Sequence, residues 1–157
     1  GFIPNVLAAF AKFPKQFDGF TKLYNSLMLG ESGLTKLERE MIAVTVSSEN
    51  HCFYCLVAHG SAVRELSNDP QLGERIAANF RSAELPEKQL ELLNFTKKLT
   101  RDPSEISESD RIKLREVGYT DRDIWDISAI VGLFNMTNRL ASATEMEPND
   151  NYHDIAR

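Results

Sequence analysis

The chain has 157 residues, 42% hydrophobic and 26% charged, which suits one globular domain able to bury a core without staples. Its net charge of −5 argues against nucleic acid or an anionic membrane as partner, since both reward clustered Lys and Arg. The basic residues are scattered or alternate with acids, as in Lys36-Leu37-Glu38-Arg39-Glu40. No apolar run approaches the roughly eighteen residues of a membrane span, and no signal-peptide pattern opens the chain, so a cytoplasmic location is expected. Gly1-Phe2-Ile3-Pro4 does not read as a natural start, and further residues upstream are expected.

No segment shows a convincing period of two, and almost every one carries helix punctuation. Residues 4–12 and 15–29 place apolar side chains at helical spacing, broken around Pro14. Leu7 and Phe10 mark the first stretch; Phe17, Phe20, Leu23, Tyr24 and Leu27 mark the second. Gly30 to Gly33 is a loop, after which Thr35-Lys36-Leu37-Glu38 forms a capping box for a helix reaching about Ser48. A short break at Glu49–His51 leads into a helix from about Cys52 to Leu66. Asn68-Asp69-Pro70 ends that helix and starts another that runs to about Phe80. Pro86 opens a helix carrying Leu90, Leu93, Phe95 and Leu99, which closes before Asp102-Pro103. Ser107 to Asp110 caps a helix ending at Gly118, and Thr120 to Asp123 caps the last long helix, through Leu140. The tail from Glu147 is polar and expected to be extended.

The expected fold is therefore all-α, a single helical domain over residues 1–157. Phe10, Phe13, Phe17, Phe20, Tyr24 and Phe134 are assigned to the core or a subunit interface rather than to a substrate pocket, and so is Trp125.

The chemistry concentrates in Cys52-Phe53-Tyr54-Cys55-Leu56-Val57-Ala58-His59, which holds the only two cysteines of the chain. On a helix, positions 52, 55 and 59 fall on one stripe. In a reducing compartment a CxxC pair points to catalysis or metal binding rather than to a structural staple. If residues 36–48 and 52–66 form an antiparallel hairpin, Glu40 and His59 both lie about 15 Å from the turn, at 1.5 Å rise per residue, and face each other. A carboxylate beside an imidazole orients the ring and raises its basicity.

The order Glu40, His59, Cys55, Cys52 thus reads as a proton relay ending in a dithiol. His59 takes the proton of Cys55, the Cys55 thiolate attacks a peroxide oxygen, and Cys52 condenses with the resulting sulfenic acid to a disulfide. Attack by Cys55 rests on its nearness to His59. The helix N-terminus favours a thiolate on Cys52 instead.

Glu40, Cys52-Phe53-Tyr54-Cys55 and His59 resemble the E-x11-C-x2-C-x3-H signature of alkylhydroperoxidase D-like proteins in the carboxymuconolactone decarboxylase superfamily. Arg39-Glu40-Met41-Ile42 and Phe134-Asn135-Met136-Thr137-Asn138-Arg139 look like its peroxidase-related branch. The resemblance implies an alkylhydroperoxidase D-like helical fold and homo-oligomers built on dimers, such as a dimer or a trimer of dimers. It also implies hydroperoxide reduction at the expense of an external dithiol, a lipoyl group or a thioredoxin-like protein, with no bound cofactor and no metal. Founding members carry a histidine where this chain has Tyr54. A phenol with an ordinary pKa of about 10 cannot shuttle protons at pH 7, so the relay is shortened here.

Rival readings differ in what they ask of the cysteines. Two buried thiols are often inert small hydrophobes. A zinc site could draw on Cys52, Cys55, His59 and His51, but structural zinc usually takes a second, sequence-distant ligand pair, and His153 lies in the tail. A decarboxylase or lactone isomerase of the same superfamily has no need of the pair. A redox sensor or an oligomeric interaction protein would use the disulfide to change shape without turnover. Asn135, Asn138 and Arg139 either bond across a subunit interface or cap the hairpin of the site.

Overall fold

The computed structural model describes all of residues 1–157 and contains nine α-helices and no strand. They are α1 (Asn5–Phe10), α2 (Pro14–Tyr24), α3 (Lys36–Glu49), α4 (Phe53–Ser67), α5 (Leu72–Asn79), α6 (Glu87–Arg101), α7 (Glu108–Glu116), α8 (Asp121–Ala143) and α9 (Asn151–Asp154). The capping boxes expected at Thr35 and Thr120 are formed. Thr35 Oγ1 accepts from the Glu38 N–H at 3.1 Å while Glu38 Oε2 accepts from the Thr35 N–H at 2.8 Å, and Thr120 and Asp123 repeat the pattern.

Helix α3 is the axis of the fold. Met41, Ile42, Ala43, Val44 and Val46 are all fully buried, so the helix has no solvent face over two turns, and α4, α5, α6 and α8 pack around it. A helix apolar on all sides needs such a jacket. Leu92 and Leu93 of α6 and Ile127, Ile130 and Phe134 of α8 complete the core. Each such side chain contributes about 1.5–3 kcal/mol on burial. Helices α4 and α5 meet at Gly60 and Gly73, where a Cβ on Gly73 would lie 2.8 Å from the Gly60 carbonyl oxygen.

Two expectations need correction and one is narrowed. The second apolar stretch stays helical to Leu29, but Asn25–Leu29 widens into a π turn. Phe13 and Trp125 are exposed, so, of core or subunit interface, neither belongs to the core of this chain. The tail is not simply extended: it carries α9 and packs back on α4. Buried Arg64 fixes it there, with Nε donating to the Ile155 carbonyl at 3.0 Å and Nη2 to the Tyr152 carbonyl at 2.9 Å. The tail also meets the other end of the chain, since Asn149 Oδ1 accepts from the Asn5 N–H at 2.8 Å. A guanidinium that satisfies tail carbonyls is invisible to periodicity.

Candidate active site

The turn between α3 and α4 determines where the cysteines sit. The His51 N–H donates to the Ser48 carbonyl at 3.1 Å and the Cys52 N–H to the Ser47 carbonyl at 2.9 Å, with His51 in the left-handed region at φ 53°. This is a Schellman closure, which ends one helix in the fewest residues. The next helix starts at once, with Cys52 as the N-cap of α4 and Cys55 in its first turn. Asn50 braces the turn by donating to Asn135 Oδ1 and Asn138 Oδ1 of α8, each at 3.0 Å. Arg139 in turn donates to Asn135 Oδ1 at 2.9 Å. Asn135 and Asn138 thus hold the hairpin, one of the two roles open to these α8 residues, and Arg139 reaches it only through Asn135.

The antiparallel hairpin brings Glu40 and His59 together, Nδ1 to Oε2, at 2.6 Å and mostly out of solvent. An ionised carboxylate only accepts, so Nδ1 carries the proton and Nε2 is left as the basic nitrogen. The imidazole and the Phe134 ring meet edge to face, with centroids 4.6 Å apart and planes at 78°. The carboxylate and the phenyl ring together leave His59 one orientation.

Cys52 and Cys55 are both free and both buried. The Cys55 thiol hydrogen-bonds Cys52 and, against the cost of burial, lowers it to about 7; the Cys55 N–H, the charge of His59 and Ser142 act the same way. Cys55 moves in the opposite direction. Its bond to Cys52 and its burial push it well above the ordinary thiol range, although Asn138 and Ser47, facing its sulfur, act to lower it. The first proton of the pair therefore leaves from Cys52, at the helix N-terminus. Ser47 and Asn138 are fully buried and bonded to each other, Asn138 Nδ2 donating to Ser47 Oγ at 3.1 Å.

The two thiols open into different spaces. Cys55 lines an inner cavity of about 500 Å³ together with Glu40 and His59. Its walls are mostly apolar and include Phe20, Leu7 and Phe134. Three phenols, Tyr24, Tyr54 and Tyr152, complete it. Burial raises all three above the ordinary phenol range, with Glu40 adding to the effect at Tyr24 and Tyr152, so they face the cavity as neutral hydroxyls. Phe20 and Phe134 are buried in the core and Tyr24 packs against it, as expected, and all three also line this cavity. Tyr54 accepts from the Val6 N–H at 3.1 Å, so the residue in the place of a relay histidine ties the N-terminal segment to the site. Cys52 lines a second, outer cavity instead.

The remaining histidines stand apart. His51 is exposed in the turn and borders the outer cavity, while His153 of α9 lies 6.4 Å from the Phe53 ring, centroid to centroid. No three His, Cys, Asp or Glu side chains converge in a metal-holding arrangement. Sequence reasoning missed Ser47, Asn50 and Tyr152 as parts of the site. A signal existed for Ser47 alone: seven residues after Glu40, it lies on the same face of α3.

Residues 14–88, which contain the whole hairpin, match the model of the carboxymuconolactone decarboxylase family. The chain belongs to that family, in its alkylhydroperoxidase D-like group. It is similar to an uncharacterized peroxidase-related protein from Silicibacter sp. TM1040, with 59% identity, TM-score 0.98, and coverage of 100% of this chain and 82% of that one. A second such protein, from Ralstonia eutropha JMP134 and described as an alkylhydroperoxidase AhpD core, shares 41% identity at TM-score 0.97, over 100% of this chain and 83% of that one. The debrominase Bmp8 shares the fold at TM-score 0.83 with 18% identity, over 100% of this chain and 85% of that one. No functionally curated protein matches the chain.

Proposed function

We propose that this protein is a thiol-dependent peroxidase that reduces organic hydroperoxides through Cys55 and Cys52, with Glu40 and His59 as its proton relay. The observation that carries the reading is that Cys55, His59 and Glu40 share one largely apolar cavity, while the thiol that ionises first, Cys52, lies directly behind Cys55. The cavity suits the carbon skeleton of a hydroperoxide, and the neutral tyrosine hydroxyls are donors for its oxygens.

Two bases flank the Cys55 proton, the Cys52 thiolate behind it and Nε2 of His59 in the cavity. When the proton passes to His59, the Cys55 sulfur attacks the terminal peroxide oxygen. The O–O bond breaks, Cys55 becomes a sulfenic acid, and the leaving alkoxide takes the proton from His59 as the alcohol. The Cys52 thiolate then attacks the Cys55 sulfur and expels hydroxide, which is protonated to water, leaving a Cys52–Cys55 disulfide. An external dithiol restores both thiols, so hydroperoxide and dithiol become alcohol, water and the oxidised reductant.

Asn138 and Ser47 act as positioning residues, holding the Cys55 sulfur through both oxidation states. Cumene hydroperoxide supplied with excess dithiothreitol tests the reading. Catalytic consumption that Cys55→Ser abolishes supports it; undiminished consumption in both single Cys→Ser variants refutes it.

A further inference from the structure

The outer cavity has no part in peroxide reduction as described above. It holds about 460 Å³ and is bordered by His51, Cys52, Phe53, Met146, Glu145 and Glu147. Tyr54 and Ala141 line both cavities and form the wall between them. Cys52 does not line the inner cavity and Cys55 does not line the outer one. The dithiol therefore sits in the wall between the two, with buried Cys52 bordering the outer cavity and buried Cys55 the inner one.

The outer mouth has its own chemistry. No Lys or Arg borders it, and its two carboxylates, Glu145 and Glu147, are exposed. Phe53 is 59% exposed, a large apolar surface left uncovered in the first turn of α4 beside the Cys52 cap. A carboxylate rim repels an anionic visitor and attracts a cationic one, and the uncovered ring with Met146 offers an apolar seat.

We propose that the outer cavity is the docking site for the reductant, a thiol borne on a neutral or cationic group, and that the rim excludes anionic thiols. This rests on the peroxidase reading only for how the disulfide arises. The reductant thiolate attacks Sγ of Cys52 in the Cys52–Cys55 disulfide. An S–S bond forms between reductant and Cys52, the Cys52–Cys55 bond breaks, and Cys55 leaves as a thiolate into the inner cavity, where it takes up through His59 the proton that the reductant thiol lost on ionising. A second reductant thiolate attacks the first reductant sulfur and releases Cys52 as a thiolate. Oxidant and reductant thus use opposite faces of one dithiol, and bound hydroperoxide leaves the path to Cys52 open.

The test uses the whole chain with its disulfide preformed by diamide, so that it does not depend on peroxide turnover. Reduction is timed with cysteamine, 2-mercaptoethanol and 2-mercaptoethanesulfonate, normalised to thiolate concentration, at low salt. The expected order is cationic, neutral, anionic, with about a fivefold or larger spread that shrinks as salt is added. A Glu145→Lys, Glu147→Lys double variant reverses that order, and acid-quenched samples carry the mixed disulfide on Cys52. In a parallel arm, Cys55→Ser is treated with 2-aminoethyl and 2-sulfonatoethyl methanethiosulfonate, which need no disulfide; the cationic reagent labels Cys52 faster, and the charge reversal inverts this. A mixed disulfide on Cys55, or rates indifferent to the charge reversal in both arms, overturns the proposal. Loss of hydroperoxide turnover with these results intact counts against the peroxidase reading instead.

Discussion

Replacing Cys55 asks most directly what makes Cys52 acidic. The largest cause that holds Cys52 near 7 is its hydrogen bond from the Cys55 thiol, with burial acting the other way. Cys55→Ala removes the donor and keeps the burial, so the Cys52 thiol rises towards its ordinary 9.0, with the Cys55 N–H, His59 and Ser142 still acting to lower it. Cys55→Ser keeps an O–H donor and retains more of the lowering. At pH 7 the wild-type Cys52 is about half thiolate, and a full rise to 9.0 would leave about one per cent, so the fall is up to about fiftyfold. A more basic thiolate is intrinsically more nucleophilic, by up to about six- to tenfold over this range, so the net loss of alkylation rate at pH 7 is at most about five- to eightfold. The midpoint is the cleaner readout. Iodoacetamide rates at Cys52, read by peptide mass spectrometry, rise with a midpoint near 7 in the wild type, shifted clearly upward towards 9 in Cys55→Ala, and between these in Cys55→Ser. An unchanged midpoint in Cys55→Ala would refute the idea that the partner thiol, rather than the helix terminus, sets the acidity of Cys52.

Other outcomes follow from the same geometry. His59→Ala lowers hydroperoxide turnover by about 100-fold or more, the usual worth of a positioned base. Glu40→Gln, which no longer dictates the tautomer, costs about tenfold, and steady-state kinetics with cumene hydroperoxide separates the two. Arg64→Ala frees two tail carbonyls, each bond to a charged donor being worth about 1.5–3 kcal/mol, so hydrogen exchange in residues 150–157 accelerates by tenfold or more while α3 stays protected. Between α6 and α7, the hydrogen bond from Lys98 holds Asp110 down to about 2. Because its folded pKa is depressed, its contribution to stability is complete above the unfolded value of 3.8 and lost as pH falls towards 2. Urea titrations of Asp110→Asn across that window show a shallower loss than the wild type.

Much of this fold was legible because helix signals are local. The Thr35 and Thr120 boxes, Pro86 and the periodic apolar residues each act within a turn or two, and the helices begin and end close to where those residues direct. The Glu40–His59 contact was legible for a related reason: a short reversal fixes register, so equal distances from residue 50 bring two positions face to face. The cavity was harder to see. Its walls come from α2, α3, α4, α8 and the two chain ends, and nothing within a window of residues says that Phe20 and Tyr152 will meet the same space. An apolar residue looks alike in sequence whether it faces the core or a cavity, which is why Phe20, Tyr24 and Phe134 were assigned to packing. The opposite ionisation of the two cysteines depends on the direction of a single thiol hydrogen bond, which spacing alone does not encode.

On the proposed mechanism, hydroperoxide oxidises Cys55 in the inner cavity while Cys52 waits behind it. Trapping the sulfenic acid with dimedone after one equivalent of cumene hydroperoxide, followed by peptide mass spectrometry, tests this most directly. The expected result is the adduct on Cys55 in Cys52→Ser, no sulfenate in Cys55→Ser, and a Cys52–Cys55 disulfide in the wild type. A dimedone adduct on Cys52 in Cys55→Ser, formed as fast as the wild-type disulfide, would contradict it.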